Sequence, residues 1–188
     1  MRLILVRHPQ PLVATGVCYG RSDLAVSEDQ LARTLTALSA ALPHGLPVYS
    51  SPLQRCTRLA AELAPLLQSP APLLDARIAE IDFGDWEMRA WDDIPRADID
   101  AWAADLVNYH PGGGESVLQM AGRIAAFYAD LQRQQRDAII ICHAGAMRLL
   151  SACHTSLAPA GMALQAARHP HQIGYGATLI LQSQTAGQ

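Results

Sequence analysis

Arg7 and His8 stand side by side at the end of Met1-Arg2-Leu3-Ile4-Leu5-Val6, a short apolar run rich in branched residues. An imidazole can serve as a nucleophile or a general base, and a guanidinium is a fixed cation whose forked donors suit phosphate. The dipeptide alone is a weak signal, since short motifs match by chance. Two other stretches add weight. Ser51-Pro52-Leu53-Gln54-Arg55 places an arginine in the first turn of an expected helix. A cation there opposes the helix dipole. It has a purpose if an anion sits with it, because helix N-termini bind phosphate. Asp137-Ala138-Ile139-Ile140-Ile141-Cys142 ends in His143-Ala144-Gly145 and repeats the opening arrangement: apolar run, histidine, small-residue turn. Glycine at such a turn lets a backbone N–H approach a ligand closely. Two arginines and two histidines on one rim describe a compact phosphate site. His110-Pro111-Gly112-Gly113-Gly114-Glu115-Ser116 reads as a flexible break. It lacks the Lys-Ser/Thr of a P-loop, which argues against a nucleotide-phosphate cradle of that type.

These residues meet only if strands and helices alternate so that their loops share one edge. The pattern predicts that arrangement. A first strand over the opening run leads into a Pro/Gly-rich loop at 9–26, long enough to be functional. Ser27-Glu28-Asp29-Gln30 is a capping box, followed by Leu31, Leu35, Leu38 and Leu42 at helical spacing and by Pro43 and Gly45 as a stop. Val48-Tyr49-Ser50 is a second strand, and Ser51 to Gln54 a second capping pattern, with Pro52 in the first turn of a helix running through Leu59, Leu63 and Leu67. Leu73 to Asp75 reads as a third strand. Residues 90–109 read as one helix with Trp91, Ile94, Ile99, Trp102 and Leu106 as its buried stripe. Ser116 to Gln119 is a third capping box, and Val117, Met120, Ile124, Phe127 or Tyr128, and Leu131 carry that helix into the core. Residues 137–142 form the clearest buried strand, and Ala177 to Leu181 a last one. The expectation is an α/β fold with a mainly parallel sheet and helices on both faces, one domain over residues 1–188. Ligands of such sheets lie at the carboxyl ends of the strands, where Arg7, His8 and His143 fall.

Composition sets the outer bounds. The chain of 188 residues is 50% hydrophobic and 16% charged, which is globular and not disordered. A net charge of −3 gives no basic stripe, so no nucleic-acid partner is expected. No apolar run approaches the ~20 residues of a membrane helix, and the opening run is too short for a signal-peptide core. Cys18, Cys56, Cys142 and Cys153 show neither CxxC nor zinc spacing and are expected as free thiols in a reducing cytoplasm. His169-Pro170-His171 is the one tempting pair of metal ligands, but no paired carboxylate spacing accompanies it.

Arg7-His8, Ser51-Pro52-Leu53-Gln54-Arg55-Cys56, Glu80-Ile81-Asp82-Phe83-Gly84-Asp85-Trp86-Glu87, Gly113-Gly114-Glu115-Ser116 and Cys142-His143 together resemble the histidine phosphatase superfamily, also called phosphoglycerate mutase-like. The match spans nearly the whole chain in the family's order. The resemblance implies a phosphoglycerate mutase-like three-layer fold and a phosphohistidine mechanism. His8 is then the nucleophile, while Arg7, Arg55 and His143 surround the equatorial oxygens of the transferring phosphoryl group. Glu80 is the general acid and base. No metal or other cofactor is implied, because the arginines supply the charge a metal would bring.

There are departures from the family pattern. Pro9 stands where glycine usually follows the nucleophile, Gln10-Pro11 where a Glu-Thr pair usually follows, Ala144 where glycine follows the second histidine, and Met88 where glycine often follows Trp-Glu. The lost threonine hydroxyl leaves Gln10 as its expected replacement at the phosphate. Within the superfamily, Cys18-Tyr19-Gly20-Arg21-Ser22-Asp23 and the 81–87 stretch look most like those of α-ribazole phosphatases. Tyr19, Gly20, Arg21 and Ala144 join Gln10 as expected substrate-binding residues, and Trp86 or Trp91 is either rim or core. The implied partner is a small phosphorylated metabolite. A broad phosphomonoesterase, a mutase-type phosphotransferase and an inactive phosphoanion-binding module stay open as alternatives, as does the oligomeric state, a homodimer included.

Overall fold

The structure, a computed structural model, describes residues 1–155, 158–168 and 173–182. Strands β1 (Arg2–Arg7), β2 (Val48–Ser50), β3 (Leu73–Leu74), β4 (Ala138–Cys142) and β5 (Thr178–Gln182) form one sheet in the order β3-β2-β4-β1-β5. The pairings β1–β4, β4–β2 and β2–β3 are parallel, and β5 runs antiparallel along β1. Successive side chains point to opposite faces. Leu3, Leu5, Ile140 and Cys142 therefore enter one core, and Ile4, Val6, Ile139 and Ile141 the other. Helices α1 (Glu28–Ala41) and α2 (Gln54–Leu66) cover the second face. Helices α4 (Val117–Gln134), α5 (Ala144–His154) and α6 (Pro159–Arg168) cover the first. A strand buried on both sides has no polar face to show, which is why β4 is an unbroken apolar run. This is the expected three-layer α/β fold. No helix among the described residues is long and apolar enough to cross a membrane.

Two of the three capping patterns form. Ser27 Oγ accepts from the Gln30 N–H at 3.3 Å. Ser116 Oγ accepts from the Gln119 N–H while Gln119 Oε1 accepts from the Ser116 N–H, a complete capping box. The pattern at Ser51 is used differently. Helix α2 begins at Gln54, after Leu53, and Pro52 lies outside it. Its first N–H is taken by Asp23 Oδ1 at 2.6 Å, from the long loop after β1. The Ser51 hydroxyl accepts the Leu53 N–H at 3.4 Å and keeps its proton for the site.

Two further expectations are corrected. Residues 90–109 are not one helix: a 3-10 turn spans Trp91–Asp93 and a short helix α3 spans Arg96–Ala104. Pro95 separates them, because the residue before proline is pushed out of the helical region. Of the expected stripe only Ile94 is fully buried. The 110–116 segment is a packed turn where flexibility was expected. A Cβ on Gly112 would lie 2.2 Å from the Phe83 carbonyl oxygen, and one on Gly84 2.2 Å from that of Gly112. The Glu115 N–H donates to the Asp82 carbonyl at 2.8 Å. The glycines serve close approach of the two turns. His169-Pro170-His171 lies outside the described residues.

The sheet ladder continues one step beyond the strands. The His8 N–H donates to the Cys142 carbonyl at 3.1 Å, and the Ser51 N–H to that of Ile141 at 3.0 Å. Three neighbouring strand ends therefore hold His8, Ser51 and His143 in register.

Candidate active site

His8 is buried, and its Nδ1 lies 2.7 Å from the Pro9 carbonyl oxygen. A carbonyl only accepts, so Nδ1 must carry the proton and Nε2 keeps its lone pair. Pro9 offers this acceptor as well as glycine would, since the contact uses the backbone carbonyl. Burial, with Arg55 and Arg7 nearby, pushes the His8 pKa down to about 3 despite the opposing Pro9 hydrogen bond. The ring is neutral at ordinary pH, as a nitrogen nucleophile must be. His143 lies behind it with ring centroids 5.0 Å apart. It is fully buried, and burial, His8 and the arginines hold it well below its ordinary range. Its Nε2 pairs with Ser51 Oγ at 2.8 Å, and its Nδ1 has no partner among the described residues. With the Ser51 hydroxyl donating, Nδ1 carries a proton that can be given to an anion.

Two cations face this pair. Arg55 has 0% of its surface exposed and forms no ion pair among the described residues. It donates instead to the carbonyls of Ser22 at 2.7 Å and Gly20 at 2.6 Å, while Nε goes unpaired. Burying a charge without a counter-charge is costly. An arriving anion removes that cost. Arg7 donates to the Ile173 carbonyl, leaves Nε unpaired, and stacks 3.9 Å over the Tyr175 ring. Tyr175 in turn bonds Tyr19, hydroxyl to hydroxyl, at 2.7 Å.

Glu80 comes from the irregular segment after β3. Its Oε2 accepts the Gly145 N–H at 3.0 Å, in the first turn of α5, and its Oε1 the Ile81 N–H at 3.1 Å. A Cβ on Gly145 would stand 2.3 Å from Oε1, so only glycine lets the carboxylate sit there. Arg123 of α4 holds the segment from behind. It donates to the carbonyls of Arg77, Ala79 and Glu80 and makes a two-pronged bond to Glu115 at 2.7 Å per prong.

Glu87 plays the same part for the 20–22 loop. Its carboxylate accepts from the N–H groups of Gly20, Arg21, Ser22 and Phe83 and from the Ser22 hydroxyl. Burial pushes its pKa up, but these donors outweigh it and hold the carboxyl below its usual range. Fixing that loop fixes the two carbonyls that grip Arg55.

Two neighbouring cavities result. The smaller, about 270 Å³, is lined by Arg7, His8, Tyr19, Arg55, Glu80, Phe83 and Trp91. The larger, about 350 Å³, shares Tyr19, Glu80 and Phe83 and extends past Trp102, Met120, Ala144 and Gly145 to Arg148 and Ala166. Trp91 and Trp102 stack between them at 6.1 Å, with the Phe83 ring edge-on to both.

Of the expected residues, Arg7, His8, Arg55 and Glu80 line the smaller cavity, and His143 backs it. Tyr19 lines both, and Ala144 the larger. Three substrate-binding expectations are corrected. Gln10 is exposed and lines neither cavity, away from the place expected of a replacement for the missing hydroxyl. Arg21 points outward to Asp82 at 3.4 Å. Gly20 acts through its carbonyl on Arg55, and a Cβ there would lie 2.0 Å from the Ile81 oxygen. Trp86 is core at 3% exposure, whereas Trp91 is at the rim. Sequence reasoning missed Tyr175, Arg123 and Arg148, and left Glu87 without a role. Arg148 is the one arginine in the largely apolar pattern of its helix, the signal that marks it.

The fold is phosphoglycerate mutase-like, and the chain belongs to the histidine phosphatase superfamily, branch 1, whose profile matches residues 3–174. It is an enzyme of the phosphatase class. An adenosylcobalamin/alpha-ribazole phosphatase of Salmonella typhimurium is 30% identical over 160 residues, covering 81% of this chain and 78% of the relative. The alpha-ribazole phosphatase from Shigella flexneri superposes with a TM-score of 0.78 at 25% identity, over 96% of this chain and 89% of that one. A mycobacterial glucosyl-3-phosphoglycerate phosphatase gives 0.72 at 26% identity, over 87% and 83%.

Proposed function

We propose that this enzyme hydrolyses α-ribazole 5′-phosphate to α-ribazole and inorganic phosphate, through a phosphohistidine on His8, in assembling the cobalamin nucleotide loop. The observation that carries the phosphoryl chemistry is the buried, uncountered Arg55 beside a neutral His8 whose free nitrogen is Nε2. Nε2 attacks phosphorus as the ester P–O bond breaks, and Glu80 gives its proton to the departing alkoxide. Glu80 then takes a proton from water, which attacks the phosphohistidine and releases phosphate. Arg7, Arg55 and His143 stabilise the charge on the phosphoryl oxygens. The substrate assignment rests on the relatives' names and on the cavity beside Glu80, whose aromatic wall suits a flat benzimidazole. Ring–ring contacts of that kind contribute about 0.5–1.5 kcal/mol beyond burial. The reading places the enzyme in a reducing cytoplasm, in keeping with four buried, unpaired cysteines.

Two measurements test it. Rapid quenching with labelled substrate should trap an acid-labile phosphoenzyme that His8→Ala lacks; turnover surviving in that variant removes His8 as nucleophile. The kcat/KM for α-ribazole 5′-phosphate should exceed those for ribose 5-phosphate, 3-phosphoglycerate and p-nitrophenyl phosphate by about tenfold or more, which ~1.4 kcal/mol of transition-state binding supplies. Parity with ribose 5-phosphate or 3-phosphoglycerate overturns the substrate and leaves the phosphohistidine chemistry standing.

A further inference from the structure

The larger cavity is apolar along most of its length, lined by Ile81, Phe83, Trp102, Leu106, Met120 and Leu149, yet one cation faces into it. Arg148 stands on α5 three residues after Gly145, whose N–H holds Glu80. At 1.5 Å per residue that is about 4.5 Å further along the helix axis, on the same face. Its Nε is buried without a partner, and the side chain forms no hydrogen bond or ion pair among the described residues. Residues 156, 157, 169–172 and 183–188 contain no aspartate or glutamate, so none of their side chains supplies a counter-charge. Near the N-terminal end of α5 the helix dipole gives a cation no help either. A polar group left unpaired in an apolar wall is destabilising, and what it lacks is an acceptor.

We infer that Arg148 is a specificity-determining residue: it hydrogen-bonds an acceptor carried on the far side of a flat, apolar leaving group whose ester oxygen lies at Glu80. This rests on the phosphomonoesterase reading of the adjoining cavity and adds to it. The reacting end sees only phosphate; the acceptor at the other end says which phosphate ester is wanted. A carboxylate is the strongest such acceptor, because a charged, two-pronged bond to guanidinium is stronger than a neutral one. The unprotonated ring nitrogen of a benzimidazole is a neutral acceptor of the same geometry class.

The test is a substrate–variant cycle with 4-carboxyphenyl phosphate and phenyl phosphate against wild type and Arg148→Met. Methionine fills the apolar wall without a donor. The intrinsic difference between the two leaving groups cancels in the ratio of ratios. The expected result is that Arg148→Met costs the carboxylated substrate about tenfold more in kcat/KM than the plain one, with Arg148→Lys falling between. Equal losses on both substrates overturn the inference and make Arg148 a packing residue. Wild-type enzyme alone gives a second reading. 4-Hydroxybenzoate should inhibit about tenfold more tightly than its methyl ester, and equal inhibition overturns the inference without any variant. If neither aryl phosphate nor α-ribazole 5′-phosphate is turned over, the phosphatase reading falls while the inhibition measurement still decides the role of Arg148. If the carboxylate preference holds but Arg148→Met leaves α-ribazole 5′-phosphate untouched, the α-ribazole assignment falls and the acceptor site stands.

Discussion

The two cavities that meet at Glu80 are built on opposite plans. Around His8, side chains are held by backbone. The Pro9 carbonyl fixes the imidazole tautomer, the Gly20 and Ser22 carbonyls grip Arg55, and the Gly145 N–H holds Glu80. Around Arg148, the wall is made largely of apolar side chains from α3, α4, α5, α6 and the 81–83 segment. The first plan fixes atoms to a few tenths of an ångström because hydrogen bonds are directional. The second tolerates exchange, since apolar packing is not directional. Chemistry shared by many phosphate esters needs the first, and the choice among esters needs only the second. Substitutions should therefore divide the same way: large, substrate-independent losses in one cavity, and smaller, substrate-dependent ones in the other.

Arg55→Met should give the largest effect. Removing one donor set from developing transition-state charge costs about 10²–10³ in kcat, and the loss should be alike for alkyl and aryl phosphates. A loss confined to one leaving group would break the comparison. Arg123→Met comes next. It lines neither of the two cavities, but it holds the segment bearing Glu80 through three carbonyls. Because general acid catalysis supplies about 10²–10⁴, loosening it should cost roughly tenfold on an alkyl phosphate and little on p-nitrophenyl phosphate, whose leaving group needs no proton. Uniform loss would show that Arg123 serves folding alone. Trp102→Ala should move substrate ratios by only a few-fold, as expected for one aromatic contact of ~0.5–1.5 kcal/mol. A collapse of all activity would mean the aromatic wall also shapes the phosphoryl site.

Acid titration sharpens the contrast from the stability side. His8 has a folded pKa of about 3 against an ordinary value of 6.5. Between those pH values the unfolded chain binds a proton that the folded chain refuses, so stability falls as pH is lowered through the window. His8→Asn should flatten that fall in urea-unfolding midpoints taken from pH 6.5 to pH 4; an unchanged slope would contradict the buried neutral imidazole. The smallest effect is at Met88, which adopts a left-handed φ of +64° where family members often have glycine. A side chain there costs about 1–2 kcal/mol. Met88→Gly should therefore raise stability slightly, by up to about 1 kcal/mol once the unfolded chain's extra freedom is counted, and leave kcat unchanged.

The apolar run of β4 fixed its own burial, because a strand covered on both faces has no room for a polar residue. The same local logic placed Arg7, His8 and His143 at strand ends, and the order of motifs added Arg55 and Glu80. Periodicity misled at 90–109, where apolar spacing from Trp91 to Leu106 masks the break that Pro95 imposes. Two of the corrected substrate residues, Gly20 and Arg21, share one cause. Tyr19, Gly20 and Arg21 are adjacent in sequence, yet only Tyr19 faces the cavities, while Gly20 works through a backbone carbonyl and Arg21 turns to Asp82. Composition and spacing report which side chains exist and on which face of an element they fall. They carry no information about loop direction, about backbone acceptors, or about which distant residue ends beside which. Glu87 holding the 20–22 loop, Arg123 bracing Glu80, and Arg148 alone in an apolar wall are therefore decisions of the tertiary structure, because each depends on contacts between segments far apart in the chain.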